Sequence, residues 1–136
     1  MQPVKLKFVI PSDLAETRHV QQQIMQAVHD RSYADNAVFA IKLSLEEALV
    51  NAVKHGNKLD PKKHVHVNAS VSDDEVEITI EDEGPGFRRE KVPDPTADEN
   101  LTKCSGRGLL LMEAYMTTVE YSKRGRRIRL VKKKRD

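Results

Sequence analysis

The sequence predicts a two-layer α+β sandwich, a mostly antiparallel mixed sheet packed on helices, and three patterns predict it. Val65, Val67, Ala69 and Val71 alternate with polar residues, as do Val76, Ile78 and Ile80, with Ser72-Asp73-Asp74 as the turn between them. Val38, Ile41, Leu45, Ala48, Leu49 and Ala52 recur at helical spacing and form one apolar stripe. Two further short strands, 117 to 122 and 126 to 133, turn around Lys123-Arg124-Gly125 near the end of the chain. Helices grouped against such a sheet bury both apolar faces in two layers.

Taken in order, Val4, Leu6, Phe8 and Ile10 alternate in a first strand that Pro11 ends. Asp13 with Glu16 three residues later reads as a capping box, opening a helix in which Val20, Ile24 and Val28 recur up to the break at Asp30-Arg31-Ser32. Asp35 is the expected cap of the second helix, which carries the long apolar stripe and stops at His55-Gly56-Asn57. The hairpin follows. Residues 83 to 105 hold three prolines, two glycines and almost no periodic apolar pattern, the composition of a long loop serving a site. Leu109, Leu110, Met112 and Met116 then predict a helix opening after Gly108. No internal repeat is visible.

A chain of 136 residues fits one domain spanning 1–136. The lone Cys104 excludes an intramolecular disulfide, and His19, His29, His64 and His66 show no metal-ligand spacing. No stretch approaches the roughly 18 apolar residues of a membrane span, and the N-terminus lacks the profile of a secretion signal, so a cytoplasmic protein without membrane attachment is expected. The net charge of +2 conceals an asymmetry: residues 123–136 carry nine Lys or Arg against one Asp, leaving −6 on the first 122. That basic strand or tail attracts nucleic acid or an acidic protein face, or is a solvated edge strand guarded by charge. Nucleic acid ranks low, since only Tyr121 lies near the cluster as a stacking group.

Three segments carry the chemistry. Glu47 and Asn51 stand four apart on the second helix and project from the same side. Asn offers a neutral oxygen to a hard cation such as Mg²⁺, and Glu can accept a proton, a division suited to phosphoryl transfer; the alternative is an exposed polar helix face. Glu46 turns off that side. Asp82 closes the strand 76 to 81, and Gly84 and Gly86 let backbone approach a planar ligand, although Asp-x-Gly is also a common turn. Gly106, Arg107, Gly108 and Leu109 stand at a helix start, where unpaired amides meet phosphate oxygens and Arg107 could add a charge-assisted bond, or where an ordinary loop joins a helix. His55 reads as a helix-terminal residue that interacts with the dipole. No P-loop and no dinucleotide fingerprint occurs.

In order and spacing these segments resemble the N, G1 and G2 boxes of the Bergerat-fold (GHKL) ATPases, and the short chain is similar to the RsbW-type anti-sigma serine kinases. The resemblance implies ATP and Mg²⁺ as cofactors, with Mg²⁺ at Asn51, the catalytic base at Glu47 and the adenine amine at Asp82. Gly84, Gly86, Gly106, Arg107, Gly108 and Leu109 complete the implied ATP site, and residues 87–105 are its lid. It further implies an ATP-dependent serine protein kinase that acts as an anti-sigma factor and phosphorylates a small anti-anti-sigma (STAS-type) partner, with a sigma factor as second partner and a homodimer as the assembly. The alternative is a non-catalytic ATP-binding regulator that docks a protein partner. One departure stands out: Arg126-Arg127-Ile128-Arg129 occupies the place where many relatives carry small hydroxyl residues that help hold water beside adenine.

Overall fold

Alternation sets one face of every strand toward a common core. The computed structural model describes residues 2–85 and 106–135, with the side chains of 106–109 left aside; Gly86 and the expected lid at 87–105 lie outside the described residues. The strands are β1 (Val4–Pro11), β2 (His64–Val71), β3 (Glu75–Glu81), β4 (Thr118–Ser122) and β5 (Arg127–Lys133). They form one sheet in the order β1-β2-β3-β5-β4, and all four pairings are antiparallel. Ile10 with Val65, Val67 with Phe8 and Ile80, and Ile78 with Leu130 share positions across the ladder, so their side chains line one face.

The helices α1 (Thr17–His29), α2 (Asp35–Val50) and α3 (Gly106–Tyr115) cover that face. Helix α2 lies centrally, packed on α1, α3, β3 and β5. Its stripe is deeply buried: Ile41, Leu45 and Leu49 are fully inaccessible, and Val38 is half-buried at its margin. Burying each large aliphatic side chain contributes about 1.5–3 kcal/mol, so this stripe anchors the helix. The opposite sheet face is polar. There Arg129 joins Glu77 and Glu120, and Lys123 reaches Glu81 at 3.1 Å.

Several local expectations change. Asp13 does cap, but its carboxylate accepts from Ala15 N–H (2.9 Å) to open a 3₁₀ turn, Leu14–Glu16; α1 proper starts at Thr17 after Glu16, whose side chain makes no cap bond, so the reciprocal box does not form. Ala34, not Asp35, holds the cap position of α2; Asp35 sits in the first turn, where its charge favours the positive end of the dipole. Helix α3 already includes Gly106, Arg107 and Gly108, ahead of the expected opening after Gly108. The basic strand β5 is no edge strand, because it lies between β3 and β4 and the sheet ends at β1 and β4. It follows a tight turn at Lys123, Arg124 and Gly125, all three with positive φ, where glycine relieves the last and most extended of them (83°).

At the far end of the sheet from this turn, buried Arg31 donates to the Gln2 carbonyl (2.7 Å) and to Asp73 (3.3 Å), while Lys134 donates to the Arg31 carbonyl (2.7 Å). Tyr33 donates to the Ser72 carbonyl (2.8 Å), and burial, with nearby Asp74 and Glu75, pushes its phenol up to about 12. The C-terminal basic residues are thereby woven into the fold through residue 134. Among the described residues no helix is long and apolar enough to cross a membrane.

Candidate functional site: a cleft between helix α2 and the sheet

Helix α2 ends as an α-helix at Val50 and continues as a wider π-type turn, Asn51–Gly56. Asn51 stands at the junction, its N–H still bonded to the Glu47 carbonyl, so α-geometry holds Glu47 and Asn51 one turn apart on the same side. Widening then carries Gly56 against β3, with Asn57 N–H returning to the Ala52 carbonyl at 2.9 Å. Such π turns interrupt the regular ladder and recur at functional sites.

Between this turn and the sheet lies a narrow cleft open to solvent. Ala48, Asn51, Ala52 and Gly56 form the helical wall; Ile80 and Asp82 come from β3 and the residue just past its end. Tyr121, Gly125, Arg126 and Ile128 close it from the β4–β5 hairpin. The walls are mostly apolar, and Asp82 is 93 % buried by the complement of its 7 % exposure. An apolar slot with one buried carboxylate suits a flat heteroaromatic ring that carries an exocyclic N–H donor.

The backbone around Asp82 is closely held. Its N–H donates to the Arg126 carbonyl (2.9 Å) and its carboxylate accepts from Gly84 N–H (2.8 Å). A Cβ placed on Gly56 would fall on the Asp82 carboxylate, and one on Gly84 would fall on the Gly56 carbonyl. Gly84 therefore serves the close approach of two backbones and Gly56 leaves room for the Asp82 side chain, and Gly56 is not the left-handed helix stop that its position suggests. Glu83 turns away from the cleft: its carboxylate accepts from His64 N–H (2.9 Å) and meets His66 Nε2 at 2.8 Å. The His66 bond, aided by the His64 amide, holds the Glu83 carboxyl below the usual carboxylate range.

The structure thus brings Asn51 and Asp82 into one cleft, with Gly84 beside Asp82. Glu47 is half-buried one turn before Asn51 and does not line it. Gly106, Arg107, Gly108 and Leu109 make the first turn of α3, which packs on α2 and β4; their side chains are not described, and Gly86 lies outside the described residues. His55 is half-buried in the last turn of the π segment. Sequence reasoning missed the role of Asn57, read only as part of a helix stop, and of Tyr121 as a wall of this cleft, while Arg126 stands, as the departure in the last strand suggested, at the cleft itself. Asn57 had a signal in the order Gly-Asn, which leaves an amide one residue past the usual glycine stop.

Asn51 supplies an amide oxygen in the same cleft, and among the described residues no group of three or more His, Cys, Asp or Glu could hold a metal ion. That donor set fits Mg²⁺ carried chiefly by nucleotide phosphates and water, with one protein oxygen, and does not fit a dedicated protein cage.

A two-layer sheet-and-helix fold with this cleft defines an ATPase domain of the histidine-kinase type, and the model of the histidine kinase-like ATPase domain matches residues 10–132. The chain belongs to that family. Its relatives include the anti-sigma F factor of Clostridium perfringens (strain SM101 / Type A), 36% identical over 99 residues that cover 70% of each chain. The anti-sigma F factor of Oceanobacillus iheyensis is 36% identical over 83 residues, 59% of this chain and 56% of that one. The fold is also found within the crystal structure of the RsbU and RsbW domains of Rv1364c from Mycobacterium tuberculosis, with a TM-score of 0.64 at 17% identity; the match covers 96% of this chain and 32% of that longer one.

Proposed function

We propose that this chain binds ATP with Mg²⁺ in the cleft and acts as a serine protein kinase that doubles as an anti-sigma factor, transferring the terminal phosphoryl group to a serine of a small STAS-type anti-anti-sigma protein. The observation that carries the reading is the convergence of Asn51 and buried Asp82 on one largely apolar cleft. Names of the relatives, anti-sigma F factors, supply the regulatory half.

In this reading Asp82 accepts from the adenine 6-amino group and rejects a 6-oxo purine, whose carbonyl faces it without a proton. Ile80, Ile128, Ala48 and Ala52 bound the ring and exclude water from it. Asn51 offers its side-chain oxygen to Mg²⁺, which neutralises charge on the phosphates when bound. Glu47, one turn earlier, takes the proton of the substrate serine as its Oγ bonds to the terminal phosphorus and the bond to the β-phosphate oxygen breaks, releasing ADP. Amides at Gly106, Arg107, Gly108 and Leu109 of α3 receive the phosphates. The same reading makes the protein a cytoplasmic homodimer with a sigma factor as its second partner.

The position of Glu47 outside the cleft lining favours a second reading, a regulator that binds ATP without transferring it. Incubation with γ-labelled ATP, Mg²⁺ and a candidate anti-anti-sigma protein separates them. Label on a serine supports the kinase; binding without transfer supports the regulator; no ATP binding by calorimetry removes both.

A further inference from the structure

Asn57 is 1 % exposed, and both ends of its carboxamide are hydrogen-bonded. Oδ1 accepts from Glu83 N–H at 2.7 Å, while Nδ2 donates to the His64 carbonyl and to Ser12 Oγ, each at 2.9 Å. Ser12 Oγ in turn donates to the Lys63 carbonyl at 2.7 Å. The amide orientation is fixed by its partners, because a backbone N–H only donates and a carbonyl only accepts; the flipped amide would set like against like.

Consecutive amides around the purine-reading carboxylate therefore each have an acceptor. Asp82 N–H goes to the Arg126 carbonyl, Glu83 N–H to Asn57, and Gly84 N–H to the Asp82 side chain. Of these acceptors only Asn57 is a side chain from another element, and it stands directly after the π turn that carries Asn51 and Gly56. It thus ties the helical wall of the cleft to the peptide that follows Asp82, while Ser12 and His64 tie the same amide to the ends of β1 and β2.

We propose that Asn57 is a positioning residue for base selection: by holding the Asp82–Glu83 peptide at a fixed distance from the turn that carries Asn51, it aims the Asp82 carboxylate at the bound purine. The proposal rests on the reading of Asp82 as the group that recognises the adenine amine. Without the Asn57 oxygen, the Glu83 amide loses a buried acceptor and the turn must rotate to find water, which swings the carboxylate before it.

The decisive readout is the ratio of ATP to inosine triphosphate affinity, by calorimetry with Mg²⁺, beside the thermal midpoint. Wild type is expected to prefer ATP. Asn57→Ala should lower ATP affinity about tenfold, leave inosine triphosphate affinity nearly unchanged and so collapse the ratio, a loss of roughly 1.4 kcal/mol. Asn57→Asp keeps an oxygen for Glu83 N–H but loses the donor to His64, so it should lower the midpoint while retaining most of the ratio. Tyr33→Phe, which removes the hydroxyl bonded to the Ser72 carbonyl, is the control for stability alone and should leave the ratio intact. An Asn57→Ala protein with a lowered midpoint and an unchanged ratio overturns the proposal and leaves Asn57 a structural amide. Should that variant not fold, Ser12→Ala decides, with a ratio lowered a few-fold expected and an unchanged ratio overturning it. Wild type that binds ATP without preferring it overturns the Asp82 reading, and the role of Asn57 with it.

Discussion

Gly56→Ala separates two roles that one glycine could play. Among the described residues the glycine with positive φ is Gly125, so the Gly56 backbone would accept alanine, and propensity alone would make the change stabilising by about 0.5–1 kcal/mol. Against this stands Asp82, whose carboxylate occupies the place of the new methyl and whose own Cβ would lie 3.0 Å from it. The side chain cannot swing aside without giving up its bond from Gly84 N–H (2.8 Å), and its backbone is held by the Arg126 carbonyl (2.9 Å). Overpacking costs about 1–3 kcal/mol, and losing a hydrogen bond to a charged group about 1.5–3 kcal/mol. After the propensity gain the net loss is about 1.5–5.5 kcal/mol, a fall in Tm of roughly 5–20 °C for a chain of this size. Thermal unfolding followed by circular dichroism measures it, and calorimetry should show ATP affinity reduced at least about tenfold, because the displaced acid no longer faces the ring. A Tm equal to or above that of the parent protein refutes the close-approach argument and returns Gly56 to the role of a simple helix stop.

Asp82→Asn should keep the acceptor for Gly84 N–H, and so the fold, while presenting an N–H to the adenine amine; ATP binding should fall by about two orders of magnitude and a 6-oxo nucleotide should gain relative to it. Asn51→Ala should abolish the Mg²⁺-dependent part of nucleotide binding, whereas Glu47→Ala should retain ATP and lose about a hundredfold or more in phosphoryl transfer. Unaltered transfer in the Glu47 variant moves the base elsewhere. Tyr33, pushed up to about 12, contributes stability that is fully present below pH 10 and is lost as pH rises from 10 through 12, since the unfolded phenol ionises first. Denaturant titrations at pH 9 and 11 should show a larger drop for the parent protein than for Tyr33→Phe, and equal drops contradict the shift.

The elements were legible because their signals are periodic. Alternation at 65–71 and 76–80, and the stripe from Val38 to Ala52, each predict a single buried face, and β2, β3 and α2 bury those faces. The convergence of Asn51 and Asp82 was legible through the spacing of the motifs, although neither segment alone fixes a cleft. Caps were less so: Ala34, with extended backbone and no side-chain cap bond, precedes α2, and Asp35 only adds charge to the first turn. The π turn had no signal, since periodicity cannot register one extra residue where the apolar stripe is about to end. Gly56 was read as a conformational residue because sequence does not distinguish a glycine needed for its φ from one needed for the absence of its side chain. Strand order escaped too. Local pattern predicts β4 and β5 equally, but which of them inserts beside β3 depends on long-range pairing, here Ile78 with Leu130 and Ile80 with Ile128.

That insertion bears on how the molecule is made. The strand that joins the β1-β2-β3 meander to β4 follows both of them in sequence, so the two parts of the sheet, and the two sides of the cleft, are held together through β5. Tyr121 and Arg126 reach the cleft through the β4–β5 hairpin, whose pairing with β3 is a contact of high sequence separation of the kind that slows folding. A chain without β5 would lose the partner of both β3 and β4 together with the Ile128 side of the cleft.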